Sequence, residues 1–499
     1  MLGHRPDPGI SGAWQQKTVR KMRAITRRRF VRQTTLTAAG LFASRMRVFG
    51  RPLTKNAILD ESAVRRLASA ITGRVITPQA SEYESARLIF NRAFDLHPAL
   101  IVRCAGADDV AHALDFAQNH NLPLAVRGGG HNRVGFSVCD GGLVIDLSGM
   151  NRVEVDAGRR VARAQAGALV RDLDRATQHF GLATTSGGCP TVGIAGLTLG
   201  GGEGWLMSKH GAACDNLISA QLVTVDSRQL AASQNSNPDL FWAIRGGGGN
   251  FGVVTGLEYQ LHPVGEVLSG TLVYTAERIP ELLQAFVKFV AGAPDEMNVI
   301  GMMLPSEHGT RFQMMVFYCG DPRHGNDLLG ALRALKPREE KVRVESYLEA
   351  QVGFLSTPVA HFQTDLFLPE LSEAAIAAIA TAANDAPPQF GVFIVPFFGA
   401  ITRVGSSDTA FALRQPGYEV DIMCRWSAAA QKVLAVQWVK TLRDKLQPFA
   451  HGVYVNQLGE TSEELVRSAY GPNYARLVEI KKKYDPKNVL RLNQNIKPA

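Results

Sequence analysis

Cysteine is sparse in this 499-residue sequence, and its six copies (Cys104, Cys139, Cys189, Cys214, Cys319, Cys424) contain no C-x-x-C pair. That spacing excludes a disulfide framework and the common zinc modules, so each thiol has to be judged singly. No run of about 18 apolar residues occurs, and no transmembrane helix is expected. No glycine turn reads as strand, G-x-G-x-x-G and helix in succession, so the nicotinamide fingerprint is missing. Charge imbalance is also absent from most of the chain. The formal net charge is +9, but residues 1–51 hold twelve Lys and Arg against Asp7 alone. The remaining 42 bases and 44 acids leave the body at −2, which gives no case for nucleic-acid binding.

The basic N-terminus is a candidate address. Arg27, Arg28 and Arg29 precede Phe30, and a short, weakly apolar stretch follows at 36–43. This resembles a twin-arginine export signal, a receptor-read address that implies a periplasmic or secreted protein where it is used and a cytoplasmic one otherwise. A basic tail with no such role is the alternative, and no A-x-A cleavage site follows.

Glycine is plentiful, with 48 copies, and three runs stand out. Arg127-Gly128-Gly129-Gly130-His131-Asn132 follows the apolar stretch 122–126. Three glycines turn the backbone tightly and aim several N–H groups at one small volume, which suits a phosphate pair. In the second run, 187–202, seven of sixteen residues are glycine. So few side chains gain little by packing on themselves, and each glycine costs entropy to order, so close approach to a large flat ligand explains the composition. The third run, 246–249, lies between a short helix and a strand. Three such loops within about 125 residues fit one extended ligand threaded through one domain.

Periodicity places helices at 81–94, 110–117 (with Asp108 and Asp109 as candidate caps) and 169–179, and strands at 99–103, 122–126, 142–147, 160–165 and 217–225. After about Pro263 the composition changes. Strand-like stretches (269–274, 298–304, 311–318, 390–398, 418–426) alternate with amphipathic helices (279–291, 324–335, 373–384, 428–446). Ser427 is a candidate cap for the last of these. A closing amphipathic helix covers 473–484. This reads as α+β, with a mainly antiparallel sheet in the second half.

Five stretches in order, RGGGHN (127–132), CPTVGIAGLTLGGG (189–202), DNL (215–217), DLFWAIRGGGGNFGVVT (239–255) and NYARLVEIKKKYDPKNVLRLNQNI (473–496), resemble the berberine-bridge-enzyme-like flavin oxidases. The likeness covers about residues 85–499. It implies a vanillyl-alcohol-oxidase/p-cresol-methylhydroxylase-type FAD-binding domain at 56–265, after a targeting segment at 1–55. A substrate domain at 266–450 and a segment at 451–499 that completes the FAD domain would follow.

The resemblance also implies which residues hold FAD. Arg127 to Asn132 would wrap the pyrophosphate, with His131 bonded to the flavin 8α-methyl carbon. Cys189 would bond flavin carbon 6, a buried small hydrophobe being its bland alternative. Val192 takes the position of an oxygen gate. Gly193, Gly196, Leu197, Gly200, Gly201, Gly202, Asp215, Gly249, Asn250, Val253, Asn493 and Asn495 would complete the cofactor site. The implied reaction moves a hydride from a hydroxylated small molecule (a sugar, polyketide or aromatic natural product) to FAD. Molecular oxygen then reoxidises the flavin and yields hydrogen peroxide. A same-fold dehydrogenase with another acceptor is the alternative, as is a flavin-binding protein without a base.

The catalytic base departs from the family pattern. Gln457 stands where many relatives carry a tyrosine, and an amide is no base. Tyr454, expected on the same strand face as Asn456, is one substitute; Glu203 and Glu419 are two more. Arg414 matches a family arginine, with Leu413 in place of its usual histidine neighbour.

Overall fold

Three short apolar runs, Leu100–Arg103, Leu124–Arg127 and Leu143–Asp146, form parallel strands, and Arg74–Ile76 pairs antiparallel at the edge. The parallel strands are covered on both faces, which is why they read as unbroken apolar runs instead of alternations. The computed structural model describes residues 59–307, 309–351 and 357–498. The basic N-terminal stretch with its twin-arginine pattern lies outside them.

Helix Ala107–Asn119 crosses between the first two parallel strands. Its cap position falls on Gly106, and Asp109 has a different use from the one expected. Its carboxylate accepts the backbone N–H groups of Thr72, Gly73 and Ala105 at 2.8–2.9 Å, fastening the edge strand. Beyond Leu124–Arg127 the chain makes its glycine loop and then enters Leu143–Asp146, a strand and not a helix. The expected helix at 81–94 is cut to Tyr83–Arg87. Leu88 turns extended, and the Phe90 N–H donates to the Gly130 carbonyl at 3.1 Å, drawing Phe90 under the glycine loop.

The second sheet is antiparallel and holds Val153–Asp156, Val161–Gln165, Val253–Gln260, Leu217–Val223 and Gln229–Ser233 in that spatial order. The third has seven strands, all antiparallel: Glu339–Ser346, Glu266–Thr275, Gly309–Tyr318, Met297–Ser306, Phe390–Phe397, Gly417–Trp426 and Ala360–Leu368. Helices Ile279–Ala291, Glu373–Asn384 and Lys432–Leu446 pack on it and on one another. Because side chains alternate along a strand, Val392, Ile394, Val420 and Ile422 join the helices in the core. Their neighbours Phe393, Val395, Asp421 and Met423 face a cavity on the other side.

Two helices differ from expectation. The one expected at 324–335 is broken into Pro322–Leu328 and Gly330–Arg333, where Gly325 and Gly330 weaken helical order. Lys432–Leu446 starts late, and Ser427 does not cap it; the Gln431 side chain instead accepts the N–H groups of Ser427 and Ala428 at 3.2 Å.

The closing helix Tyr474–Tyr484 is tied down by an ion pair out of contact with solvent. Lys481 donates to Asp485 at 2.7 Å and to the carbonyls of Asn250 and Leu490 at 2.9 and 3.0 Å. Asp485 also accepts the N–H groups of Val489 and Leu490. Lys481→Met leaves that carboxylate buried without its cation, so it should cost about 3–5 kcal/mol of stability. Chemical denaturation of the purified variant checks this; a loss below about 1 kcal/mol would contradict it.

Candidate functional site

The first two glycine loops touch backbone to backbone. A Cβ on Gly129 would lie 2.2 Å from the Gly193 nitrogen, and one on Gly193 equally close to the Gly129 nitrogen, so neither position admits a side chain. Between these loops, the third loop, the closing segment and the seven-stranded sheet lies a cavity of about 380 Å³. Gly128 to Asn132, Cys189, Val192, Gly193, Gly196, Leu197, Gly249, Val253 and Asn493 all line it. The Asn493 amide donates to the carbonyls of Gly249 and Leu490, while its buried oxygen has no partner in the protein. The Asn495 oxygen is also buried and unpartnered. A glycine-walled cleft with the unused Asn493 acceptor in its wall fits a flat cofactor that brings an N–H of its own, as the flavin ring of FAD does.

Other residues expected at the cofactor lie behind the wall. Arg127 sends its guanidinium to Asp146 at 2.9 Å, so it braces two parallel strands and does not reach the cavity. Asp215 is held by Arg414 through two bonds of 2.6 and 2.7 Å, and it also accepts the Ala212 N–H. Asn250 is fully buried; it donates to Gly247 and Gln494 and accepts from Ile496, stapling the third loop to the closing segment. Gly200, Gly201 and Gly202 make room for Asn456, the Phe411 ring and Ala213. Their absence of side chains serves packing, and the stretch between them and Gly193 forms a short helix, Ile194–Leu199.

His131 is set by two neighbours, Phe90 and Thr191. Its ring stacks on Phe90 with centroids 4.0 Å apart, and its Nε2 lies 3.0 Å from the Thr191 hydroxyl. Burial, with smaller contributions from Arg133 and His361, lowers its pKa to about 3, so the imidazole is neutral. Cys189 lies across the same hydroxyl, with Sγ 3.5 Å from Thr191 Oγ1. Neither Phe90 nor Thr191 was singled out from sequence; Thr191 was visible only as the residue after Cys-Pro.

The same cavity borders a buried acidic cluster. Glu203 and Asp421 line the cavity, with Glu419 and Asp365 behind them. Glu419 and Glu203 share a hydrogen bond. Burial first, and Glu203 second, push Glu419 well above the usual carboxylate range, so it keeps the proton that it donates. Glu203 is raised to about 8, chiefly by burial. Burial also holds Asp365 well above its ordinary value. Asp421 rises only to about 6, because Arg133 and a hydrogen bond from Gln363 offset its burial. Among the described residues, no cluster of three or more His, Cys, Asp or Glu is arranged to hold a metal ion.

Tyr454 and Gln457 also line the cavity. They stand in a turn and not on a strand, the Gln457 N–H donating to the Tyr454 carbonyl at 3.0 Å. The Tyr454 hydroxyl oxygen accepts from the Gly202 N–H and the Asn456 amide, both at 2.9 Å. Burial and then Glu203 push its pKa well above ordinary, so it is a poor base. The Gln457 oxygen accepts from Arg133 and Gln363, each at 3.0 Å, and Gln363 donates onward to Asp421 at 2.6 Å. Asp421 was missed in the sequence. The signal was its position two residues after Glu419 on one strand, which puts both acids on the cavity side.

A family model described as FAD binding domain matches residues 98–233, and one described as Berberine and berberine like matches 453–497. The uncharacterized FAD-linked oxidoreductase YgaK of Bacillus subtilis is 31% identical over 440 residues, covering 86% of this chain and 97% of its own. The (R)-6-hydroxynicotine oxidase of Paenarthrobacter nicotinovorans is 30% identical, with 86% and 97% covered. The crystal structure of 6-hydroxy-D-nicotine oxidase from Arthrobacter nicotinovorans matches with a TM-score of 0.80 at 29% identity, covering 86% of this chain and 98% of that one. Fold, cavity and relatives agree: the chain belongs to the berberine-bridge-enzyme-like family of FAD-linked oxidoreductases.

Proposed function

We propose that this protein is an FAD-dependent oxidase that removes a hydride from a small hydroxylated molecule, with Asp421 as the base and the flavin bonded to His131 and Cys189. The observation that carries this reading is Asp421. It is the one acid of the cavity cluster with a pKa below neutral, about 6, and it stands on the cavity wall with one oxygen unpartnered. FAD, when bound, supplies the hydride acceptor, and oxygen takes the two electrons to give hydrogen peroxide.

The chain's own residues supply the rest. Asp421 accepts the substrate's hydroxyl proton as the neighbouring C–H bond breaks. Gln363 fixes its carboxylate, and Gln457 fixes Gln363. Trp205, Ile300, Phe393 and Met423 give the substrate side of the cavity apolar walls, which favours an aromatic or alicyclic ring over an extended sugar chain. The 6-hydroxynicotine oxidase found both as a sequence relative and as a solved structure supports a compact, ring-bearing substrate.

The base must be ionised to work, so activity present above pH 6 is lost as pH falls through the Asp421 value of about 6. Anaerobic stopped-flow bleaching of the flavin by a turned-over substrate should show that limb. Asp421→Asn should slow bleaching by about 10²–10⁴-fold. Tyr454→Phe should stay within about tenfold of wild type, since it removes no base. Bleaching by Asp421→Asn at near the wild-type rate would reject the assignment.

Covalent attachment has its own test. Acid-denatured protein should stay yellow, and the peptides holding His131 and Cys189 should carry the flavin mass. A colourless pellet would exclude both bonds.

A further inference from the structure

Thr191 stands between the two side chains proposed to anchor the flavin, and its place is fixed by the backbone. Cys189, Pro190, Thr191 and Val192 form a β-turn closed by the Val192 N–H on the Cys189 carbonyl at 3.2 Å. Proline at the second position presets that turn's φ. The turn is pinned to the start of helix Val170–Gln178 by two bonds. Val170 N–H donates to the Val192 carbonyl at 2.9 Å, and Arg171 N–H donates to the Pro190 carbonyl at 3.2 Å. The hydroxyl therefore meets His131 Nε2 at 3.0 Å and Cys189 Sγ at 3.5 Å from a rigid support.

A hydroxyl has one proton, so these two contacts constrain each other. A thiolate can only accept a hydrogen bond. With Thr191 donating to Sγ, its oxygen is left to accept from His131, and Nε2 must carry the imidazole proton. His131 is neutral, so its other nitrogen, Nδ1, then has a free lone pair. We propose that Thr191 is a positioning residue whose single hydroxyl aligns His131 Nε2–H, Thr191 O–H and Cys189 Sγ in one direction, presenting Nδ1 and the thiolate together as nucleophiles for flavin attachment. This rests on the reading that His131 and Cys189 carry the flavin.

The attachment chemistry balances with oxygen as the oxidant. Each bond replaces a flavin C–H by C–N or C–S. One hydrogen leaves from the flavin carbon; the other is the imidazole N–H or, for Cys189, the proton the thiol has already given to solvent in becoming a thiolate. These two protons, with the two electrons released, reduce one O2 to hydrogen peroxide per bond formed. Thr191 neither gains nor loses a bond; it orients the attackers and holds the thiolate's charge through a charge-assisted hydrogen bond.

The experiment compares wild type, Thr191→Ser and Thr191→Ala. Thr191 is half-buried on a turn, so these small substitutions spare the packing. Each protein is prepared flavin-depleted and mixed with FAD in air. Acid-stable flavin is followed with time, and peptide mass analysis assigns it to His131 or Cys189. Thr191→Ala should slow attachment at both residues by about tenfold or more, while Thr191→Ser stays within about threefold of wild type. All three should take up acid-releasable FAD and melt alike. In the flavin-depleted proteins at one fixed pH, iodoacetamide should alkylate Cys189 about tenfold more slowly in Thr191→Ala and at the wild-type rate in Thr191→Ser. Attachment by Thr191→Ala at the wild-type rate overturns the relay, as does loss of one bond alone or a serine variant as slow as alanine. Wild type with no acid-stable flavin fails differently: it removes the attachment reading itself, and the relay with it.

Discussion

The contact between the backbones of Gly129 and Gly193 is the constraint from which the site follows. Two loops, one leaving a parallel strand and one entering a short helix, can come this close only where both lack a Cβ. Their approach brings Phe90, His131, Thr191 and Cys189 into one group, because the first loop carries the histidine and the second carries the Cys-Pro-Thr turn. Phe90 is recruited by the same loop, through its N–H on the Gly130 carbonyl. The helix that sequence periodicity extends to residue 94 gives up its last turns to make that contact. Lys481 and Asn250 act at the other end of the cavity, fastening the closing segment so that Asn493 stands at the wall.

The buried acids are an expense in stability. Asp421, Glu203 and Asp174 all have folded-state values above the ordinary carboxylate range, at about 6, 8 and 7, with burial the first cause of each. The folded chain therefore binds these protons more tightly than the unfolded chain does. Their contribution favours folding at low pH and is lost as pH rises from about 4 towards 8. Asp174 lies apart from the cavity and is satisfied by Ser186 and Gln351, so it is a structural acid. Asp421 and Glu203 differ in that each has one oxygen without a donor in the protein. Buried acceptors left without donors belong where a ligand brings the missing hydrogens.

Much of this was legible in the sequence because glycine and apolar runs act locally. The parallel strands, the glycine loop that leads to a strand, and the helices Ile279–Ala291 and Glu373–Asn384 all follow from period and punctuation. What was not legible depends on which residues meet across long separations. Arg127 and Asp215 look like ligands in their motifs, yet each is taken by a partner, Asp146 and Arg414, that no local pattern names. Asp109 and Ser427 sit near helix starts, but the cap positions fall on Gly106 and Gln431, neither with a side-chain cap bond. Asp421 escaped because a strand buried on both faces hides its alternation, and only the cavity distinguishes its acids from core residues.

Gln457 joins the closing segment to the buried acids through Arg133 and Gln363. The family resemblance implies a tyrosine in its place, so glutamine there first reads as the loss of a base. The amide oxygen of Gln457 instead joins Arg133 to Gln363, and the Gln363 amide reaches Asp421. Arg133 is thereby held near the acids, where its charge lowers Asp421 more effectively than the deeply buried Glu419. A tyrosine hydroxyl could accept from Arg133 and Gln363 as well, but it would bring a proton of its own into a cluster that already holds too many. The amide accepts without adding an ionisable group. With Asp421 as the proposed base, Gln457 is the residue that gathers Arg133 and Gln363 beside it without adding a proton of its own.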